Sequence, residues 1–159
     1  MNLAVEKFRR LADHYCAVIE DAPRLERLEL HETLLDVLPA LYTAGSALPP
    51  VEPETEDDLP DRPTHEDWFG VLKGLQAVLG PSDYYRSVEP YPNDARDEPS
   101  LGSVADDLAD IWRDLKHGLL ALDGGCPEAD VIFGWRFGFT SHWGRHAVDA
   151  LAAMHKFYW

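Results

Sequence analysis

The 159-residue chain has few cysteines, few basic residues and no long apolar run. Its two cysteines, Cys16 and Cys126, lack the spacing of a disulfide framework or a CxxC motif, so both are expected to be reduced thiols. No stretch approaches the roughly 20 apolar residues that a membrane span needs. The first residues lack the apolar core of a signal peptide. These absences predict a soluble, cytoplasmic protein that does not bind membranes.

Positive charge is scarce, since 14 lysines and arginines against 29 acids give a formal net charge of −15. That balance argues against binding nucleic acid or an anionic membrane by bulk attraction. Six acids and one arginine fall in residues 49–63, PPVEPETEDDLPDRP, whose prolines predict an acidic loop. Residues 51–61 are either a solvated connection, which is the simpler interpretation, or a docking segment for a basic protein partner.

Helical periodicity organises the rest of the chain. Apolar residues recur at helical spacing in residues 2–21, 23–48, 64–79 and 103–122. A further helical region runs from residue 127 to about 157, with a bend expected at Gly134, Gly138 or Gly144. Thr64 and Asp67 have the spacing of a capping box at the start of the third helix.

Between the third and fourth helices lies a segment rich in proline and tyrosine, residues 82–101. We expect an ordered connection here, pinned by Tyr84, Tyr85 and Tyr91. No sustained alternation of apolar and polar residues predicts a pair of strands. The predicted fold class is therefore all-α: a single domain over residues 1–159, built as a bundle of five or six helices.

Two helical segments near the C-terminus carry complementary polar side chains. SVADDLADIWRDLKHGLLAL, residues 103–122, is rich in aspartate, whereas TSHWGRHAVDALAAMH, residues 140–155, carries two histidines and an arginine. If these helices pack side by side, carboxylates face imidazoles and a guanidinium. The simpler interpretation is a polar network that fixes how the last two helices meet. Its predicted members are Asp106, Asp110, Asp114, Arg113, Arg136, His142, Arg145, His146 and Asp149.

The alternative hypothesis is a divalent metal site. His142, His146 and Asp149 lie at positions i, i+4 and i+7 on one helical stripe, and Asp106 and Asp110 repeat the four-residue spacing. Two imidazoles at that spacing can ligate one cation, with carboxylates completing the set. An ion held in this way could activate water for hydrolysis.

Three observations favour the network over the metal site. The apolar residues of the last helix centre roughly 130° from the histidine stripe, which predicts that the histidines face solvent. Asp106 lies three residues after Ser103, where it would serve in a capping box. Arg113 and Arg145 border the acids and the histidines, and a cation opposes metal binding. The apolar residues in question are Trp143, Ala147, Leu151, Met154 and Tyr158.

No known catalytic motif accompanies these residues, since GxSxG, P-loop, GxGxxG and HExxH patterns are all missing from the sequence. The sequence therefore favours a non-enzymatic interaction or regulatory module with no cofactor and an unknown protein partner. The alternative is a divalent-metal-dependent hydrolase with a His/Asp site between the last two helices.

The segments SVADDLADIWRDLKHGL and WRFGFTSHWGRHAVDALAAMH resemble the bacterial family catalogued as domain of unknown function 5063. The N-terminal helix pair, which ends near LPALYTAGSALP, is similar to the same family, so the resemblance covers most of the chain. It implies a small helical bacterial cytoplasmic protein without an assigned activity, and it carries over no catalytic residue.

Overall fold

The computed structural model describes residues 2–56, 58–88 and 98–158. Six α-helices lie in this part of the chain, and two short strands pair in front of the fourth helix. The helices are α1 (Leu3–Asp21), α2 (Arg27–Ser46), α3 (His65–Leu79), α4 (Val104–Asp123), α5 (Glu128–Ser141) and α6 (Trp143–Tyr158); the strands are β1 (Tyr84–Ser87) and β2 (Ser100–Ser103). The prediction of a single helical domain is confirmed.

Helix α4 forms the centre of the bundle and contacts α1, α3, α5 and α6. Its apolar residues recur at three- and four-residue spacing, so Leu108, Ile111 and Leu115 become fully buried on one stripe. Helix α2 completes the core by packing against α1, α5 and α6. Because the core surrounds α4, even the polar side chains on its flanks lie close to a neighbouring helix.

The start of α3 is the predicted capping box. The Thr64 hydroxyl accepts a hydrogen bond from the Asp67 amide at 3.1 Å, and the Asp67 carboxylate accepts the Thr64 amide at 2.9 Å. These two bonds satisfy donors that the first turn of a helix leaves without partners.

The start of α4 is held by an acid that the sequence did not indicate. Ser103 Oγ accepts from the Asp106 amide at 3.1 Å, as expected of a cap. The acid that supports this cap is the buried Asp83, whose Oδ1 accepts from Ser103 Oγ at 2.8 Å and from the Ala105 amide at 2.7 Å. The Asp106 carboxylate can therefore face elsewhere.

Two predicted elements differ in the structure. The second helix begins at Arg27, because Pro23 lies in a short 3-10 turn, Ala22–Arg24, that ends before α2 starts. The segment after α3 contains the antiparallel pair β1–β2, in which Tyr85 lies opposite Gly102. The prediction that the chain has no strand pair was therefore wrong. Tyr91 lies outside the described residues.

The last helical region consists of two helices, with the break at His142 and not at one of the three glycines. His142 has φ −146° and ψ −85°, which no helix accommodates. Gly144 permits the sharp turn, because a Cβ atom there would collide with the carbonyl oxygen of Phe139. The break places His142 at the junction of α5 and α6.

The acidic loop lies over α4 and α5 instead of extending into solvent. The buried Asp130 carboxylate accepts hydrogen bonds from the amides of Glu54 and Thr55 and, at 2.8 Å, from the Thr55 hydroxyl. Further along, the Leu59 carbonyl oxygen lies 2.8 Å from Nε2 of His117. Residues 54 and 55 of the loop therefore contact α5, and Leu59 contacts α4. Within the described residues, no helix is long and apolar enough to cross a membrane.

Candidate metal centre

A cluster of three aspartates and two histidines lies where α4 meets α6. Asp107, Asp110 and Asp114, at positions i, i+3 and i+7, share one face of α4. His142 and His146 are four residues apart across the start of α6. His142 Nδ1 lies 2.7 Å from Asp114 Oδ2, and His146 Nδ1 lies 2.7 Å from Asp107 Oδ1.

These two contacts determine the direction of each imidazole. An ionised carboxylate can only accept, so each Nδ1 donates its hydrogen and the lone pair of a neutral ring lies on Nε2. Both Nε2 atoms face the third carboxylate: Asp110 Oδ2 lies 3.9 Å from that of His142 and 3.6 Å from that of His146. Both separations exceed the length of an N–H···O hydrogen bond.

The separations are somewhat longer than those between ligands of a common cation. Zinc bonds nitrogen and carboxylate oxygen at about 2.0–2.2 Å, which puts tetrahedral ligand atoms about 3.3 Å apart. One atom from each of Asp110, His142 and His146 lies within 4.8 Å of the others. A shift of a few tenths of an ångström by each side chain would close this set around an ion. The Nδ1–carboxylate contacts are those that orient metal-binding histidines elsewhere.

Asp107 is the best-supported of the outer carboxylates. Its side chain is 7% exposed, and its second oxygen accepts the Tyr85 hydroxyl at 2.6 Å. Burial, followed by this hydrogen bond, raises the pKa of Tyr85 far above its ordinary value, so the phenol remains a donor. The hydrogen bond to Asp107 likewise raises the pKa of His146 above its ordinary value of 6.5, against the opposing effect of burial.

Asp106 and Asp149, which the metal hypothesis counted as ligands, lie outside the three-residue group in the described part of the chain. Asp106 is close enough that burial, followed by repulsion from Asp110 and Asp107, raises its pKa. Asp149 also lies near Tyr85, whose pKa it helps to raise. The acid that contacts His146 is Asp107, whereas the sequence analysis assigned Asp106 to the cluster.

Two of the arginines assigned to the network bind elsewhere. Arg136 donates to the Leu48 carbonyl oxygen at 2.5 Å, and Arg113 donates to that of Pro63 at 3.1 Å. Arg145 is exposed, and its charge partly opposes the rise in the pKa of His146 that Asp107 causes. Arg62 of the acidic loop, which was not predicted, lies 3.3 Å from Asp114. Among the residues that the structure describes, Arg62 is therefore the arginine that contacts the cluster directly, and it does so through an outer carboxylate.

The expectation that the histidines face solvent was wrong for His146, whose side chain is only 13% exposed. The buried stripe of α6 includes Ala150 and not Leu151. The centre of the buried stripe is therefore turned toward α4, and about 100° around the helix separates this centre from the histidine stripe. The histidines therefore lie on the flank of α6 that α4 covers.

His142 differs from His146 because it reaches an open cleft. Its side chain is 42% exposed and lies, with Asp114, at one side of a cleft of about 980 Å³ between the acidic loop, α4 and α5. An ion held by Asp110, His142 and His146 would thus have protein on one side and the cleft near the other.

The chain is thus a small helical protein in which acids of the central helix face two histidines at the start of the last helix. The chain belongs to the family described as domain of unknown function (DUF5063), whose model matches residues 2–159. It is similar to the crystal structure of protein BF1032 from Bacteroides fragilis, a structural genomics target, with a TM-score of 0.87 and 26% identity. That similarity covers 99% of this chain and 94% of the other. A comparison with curated proteins gives no match.

Proposed function

We propose that this protein binds one divalent transition-metal ion, with zinc the best match, through Asp110 and Nε2 of His142 and His146. The observation that carries the proposal is the direction of the two rings. Both Nδ1 atoms lie 2.7 Å from separate carboxylates, and both Nε2 atoms face one oxygen of a third. That arrangement prepares two lone pairs and one carboxylate for a shared cation.

The competing hypothesis is the polar network without metal, which holds α4 and α6 together. If Asp110 belongs to that network, an imidazole that donates Nε2–H to it would approach to about 2.8 Å. The observed 3.6 Å and 3.9 Å are too long for this. Neutral rings around a cation avoid this difficulty, since neither Nε2 then carries a hydrogen.

The ligand chemistry favours zinc over magnesium or calcium. Two imidazoles and one carboxylate form the ligand set of catalytic zinc sites, which keep a further position for water. Magnesium and calcium prefer sites made of oxygen atoms. A water bound to zinc ionises near pH 7 and becomes a nucleophile. The reaction class that this site supports is therefore hydrolysis of a ligand held in the adjacent cleft.

Metal analysis tests the proposal directly. Protein purified without a histidine tag would be stripped with a chelator and titrated with zinc against a chromophoric competitor. We expect one ion per chain, and a loss of at least 100-fold in affinity for Asp110→Asn and His146→Ala. His155→Ala is the matched control, since His155 is exposed on the same helix.

Thermal unfolding separates the proposal from the competing network. Zinc at 100 times its dissociation constant should add about 2.7 kcal/mol to the free energy of unfolding. The network hypothesis expects the variants to be destabilised without any response to zinc. A wild-type melt that is indifferent to zinc would reject the metal site.

A further inference from the structure

The cleft beside His142 has a wall of two exposed aromatic rings. Phe133 and Phe137, four residues apart on α5, are 40% and 62% exposed. Their rings stack with centroids 6.2 Å apart and planes only 13° apart. Single exposed apolar side chains are ordinary, but two adjacent rings at the edge of a cleft form an apolar surface that a ligand can contact.

The acidic loop also lines the cleft, and it gives the cleft a strongly negative charge. Among the described residues, four acids line the cleft against one arginine, Arg62, so their formal charge is −3 with the histidines neutral. Asp114 and Asp130 are occupied by contacts with the protein itself. Glu56 and Asp58 are exposed residues of the loop that also line the cleft. The acids are Glu56, Asp58, Asp114 and Asp130.

The size of the cleft sets the size of its ligand. A volume of about 980 Å³ is at the upper end of the range for sites that bind small molecules. The contacts of Asp130 with residues 54 and 55, and of His117 with Leu59, hold these parts of the loop in place before a ligand arrives.

We propose that this cleft binds a small organic cation that carries a flat apolar group. The flat group covers the Phe133–Phe137 pair, and the cationic group lies on the side of Glu56 and Asp58. Negative charge in a cleft attracts cations and repels anions, and aromatic faces favour an adjacent cation. The proposal rests on the proposed function in one respect: the end of the ligand next to His142 would meet the metal.

A series of three naphthalene probes tests the ligand class. Isothermal titration calorimetry at pH 7 would compare 2-naphthylmethylamine, which is a cation, with neutral 2-naphthylmethanol and anionic 2-naphthoate. We expect the amine to bind at least 10-fold more tightly than the carboxylate, with the alcohol between them. Equal affinity for the three probes, or no binding of the amine, would overturn the proposal.

Variants on each wall locate the probe. Phe137→Ala should weaken binding of the amine at least fivefold, whereas Phe157→Ala, which removes an exposed ring on α6, should not. The double variant Glu56→Gln/Asp58→Asn should reduce the preference for the amine over the carboxylate to about twofold. Its matched control, Glu52→Gln/Glu54→Gln, changes two exposed acids of the same loop that do not line the cleft. Loss of the preference in the control instead would reject the assigned position.

Repeating the titrations on chelator-treated protein separates the two proposals. The rings and the acids belong to the chain, so the preference for the amine should persist without zinc. Binding of the amine by a protein that takes up no zinc would leave the ligand class intact and reject only the metal centre. Zinc uptake without any preference among the probes would leave the metal centre intact and reject the proposed ligand class.

Discussion

Replacing Asp107 with asparagine is the most informative single change in the candidate metal centre. The Asp107 carboxylate accepts from Tyr85 on one oxygen and from His146 on the other, and the residue is 5% exposed. Asparagine has the same shape but only one acceptor oxygen, so its NH2 group must face one of these two donors. If it faces His146, the ring must move its hydrogen to Nε2, which removes the lone pair that would bind the ion.

Two magnitudes follow for Asp107→Asn. Loss of an orienting partner typically costs 10- to 100-fold in metal affinity, or about 1.4–2.7 kcal/mol. A buried donor left without its acceptor lowers the free energy of unfolding by about 1–3 kcal/mol. Competition with a chromophoric chelator measures the first quantity, and urea unfolding of the metal-free protein measures the second.

The control for this experiment is Asp123→Asn, the same substitution at the end of the same helix. The Asp123 side chain is 72% exposed and lies 3.5 Å from Arg9, so its loss should change neither zinc affinity nor, by more than about 0.5 kcal/mol, stability. If Asp107→Asn bound zinc as tightly as the wild type, the argument that Asp107 orients His146 for a metal would be refuted.

Three further predictions concern pH, packing and the coordination sphere. Because the pKa of His146 is raised by Asp107, the stability this pair contributes to the metal-free protein should be complete below pH 6.5 and lost as pH rises through the folded-state pKa. Zinc needs the neutral ring, so zinc affinity should change with pH in the opposite sense, weakening as pH falls below that pKa; titrations from pH 5.5 to 8.5 check both signs. Gly118→Ala should destabilise the fold by about 1–3 kcal/mol, since its Cβ would collide with the indole of buried Trp135, whereas Gly70→Ala, with open space around it, should stabilise α3 by about 0.5–1 kcal/mol in the same thermal melts. Cobalt(II) in the zinc site should give a visible absorption spectrum that azide shifts, and a spectrum unaffected by azide would contradict an open coordination position.

Most of the fold follows from patterns that a sequence displays directly. The apolar stripe of α4 and the Thr64–Asp67 capping box each determine local structure through contacts within a few residues. The β1–β2 pair was missed because each strand has only four residues and neither alternates clearly. Its Tyr85 is nevertheless the residue that supports Asp107, so a small irregular element contributes to the candidate site.

The site was harder to predict because it depends on how helices rotate against each other. Asp106 and Asp107 are neighbours in sequence, but about 100° separates them around α4. The helical spacing of Asp107, Asp110 and Asp114 is the signal that would have selected the correct acid. For α6, the preference for large apolar residues placed Leu151 in the core. Close packing of α6 instead buries the smaller Ala150.

The Asp114 carboxylate receives His142 on one oxygen and Arg62 of the acidic loop on the other. Loss of the Arg62–Asp114 contact therefore changes the carboxylate that orients His142. Movement of His142 toward a bound ion likewise changes the strength of the Arg62–Asp114 contact. Thermodynamic reciprocity makes these two effects equal in free energy. The acidic loop, some fifty residues distant in sequence, is thereby coupled to occupancy of the cluster, and the rate of protease cleavage within residues 49–63 should change when the ion is bound.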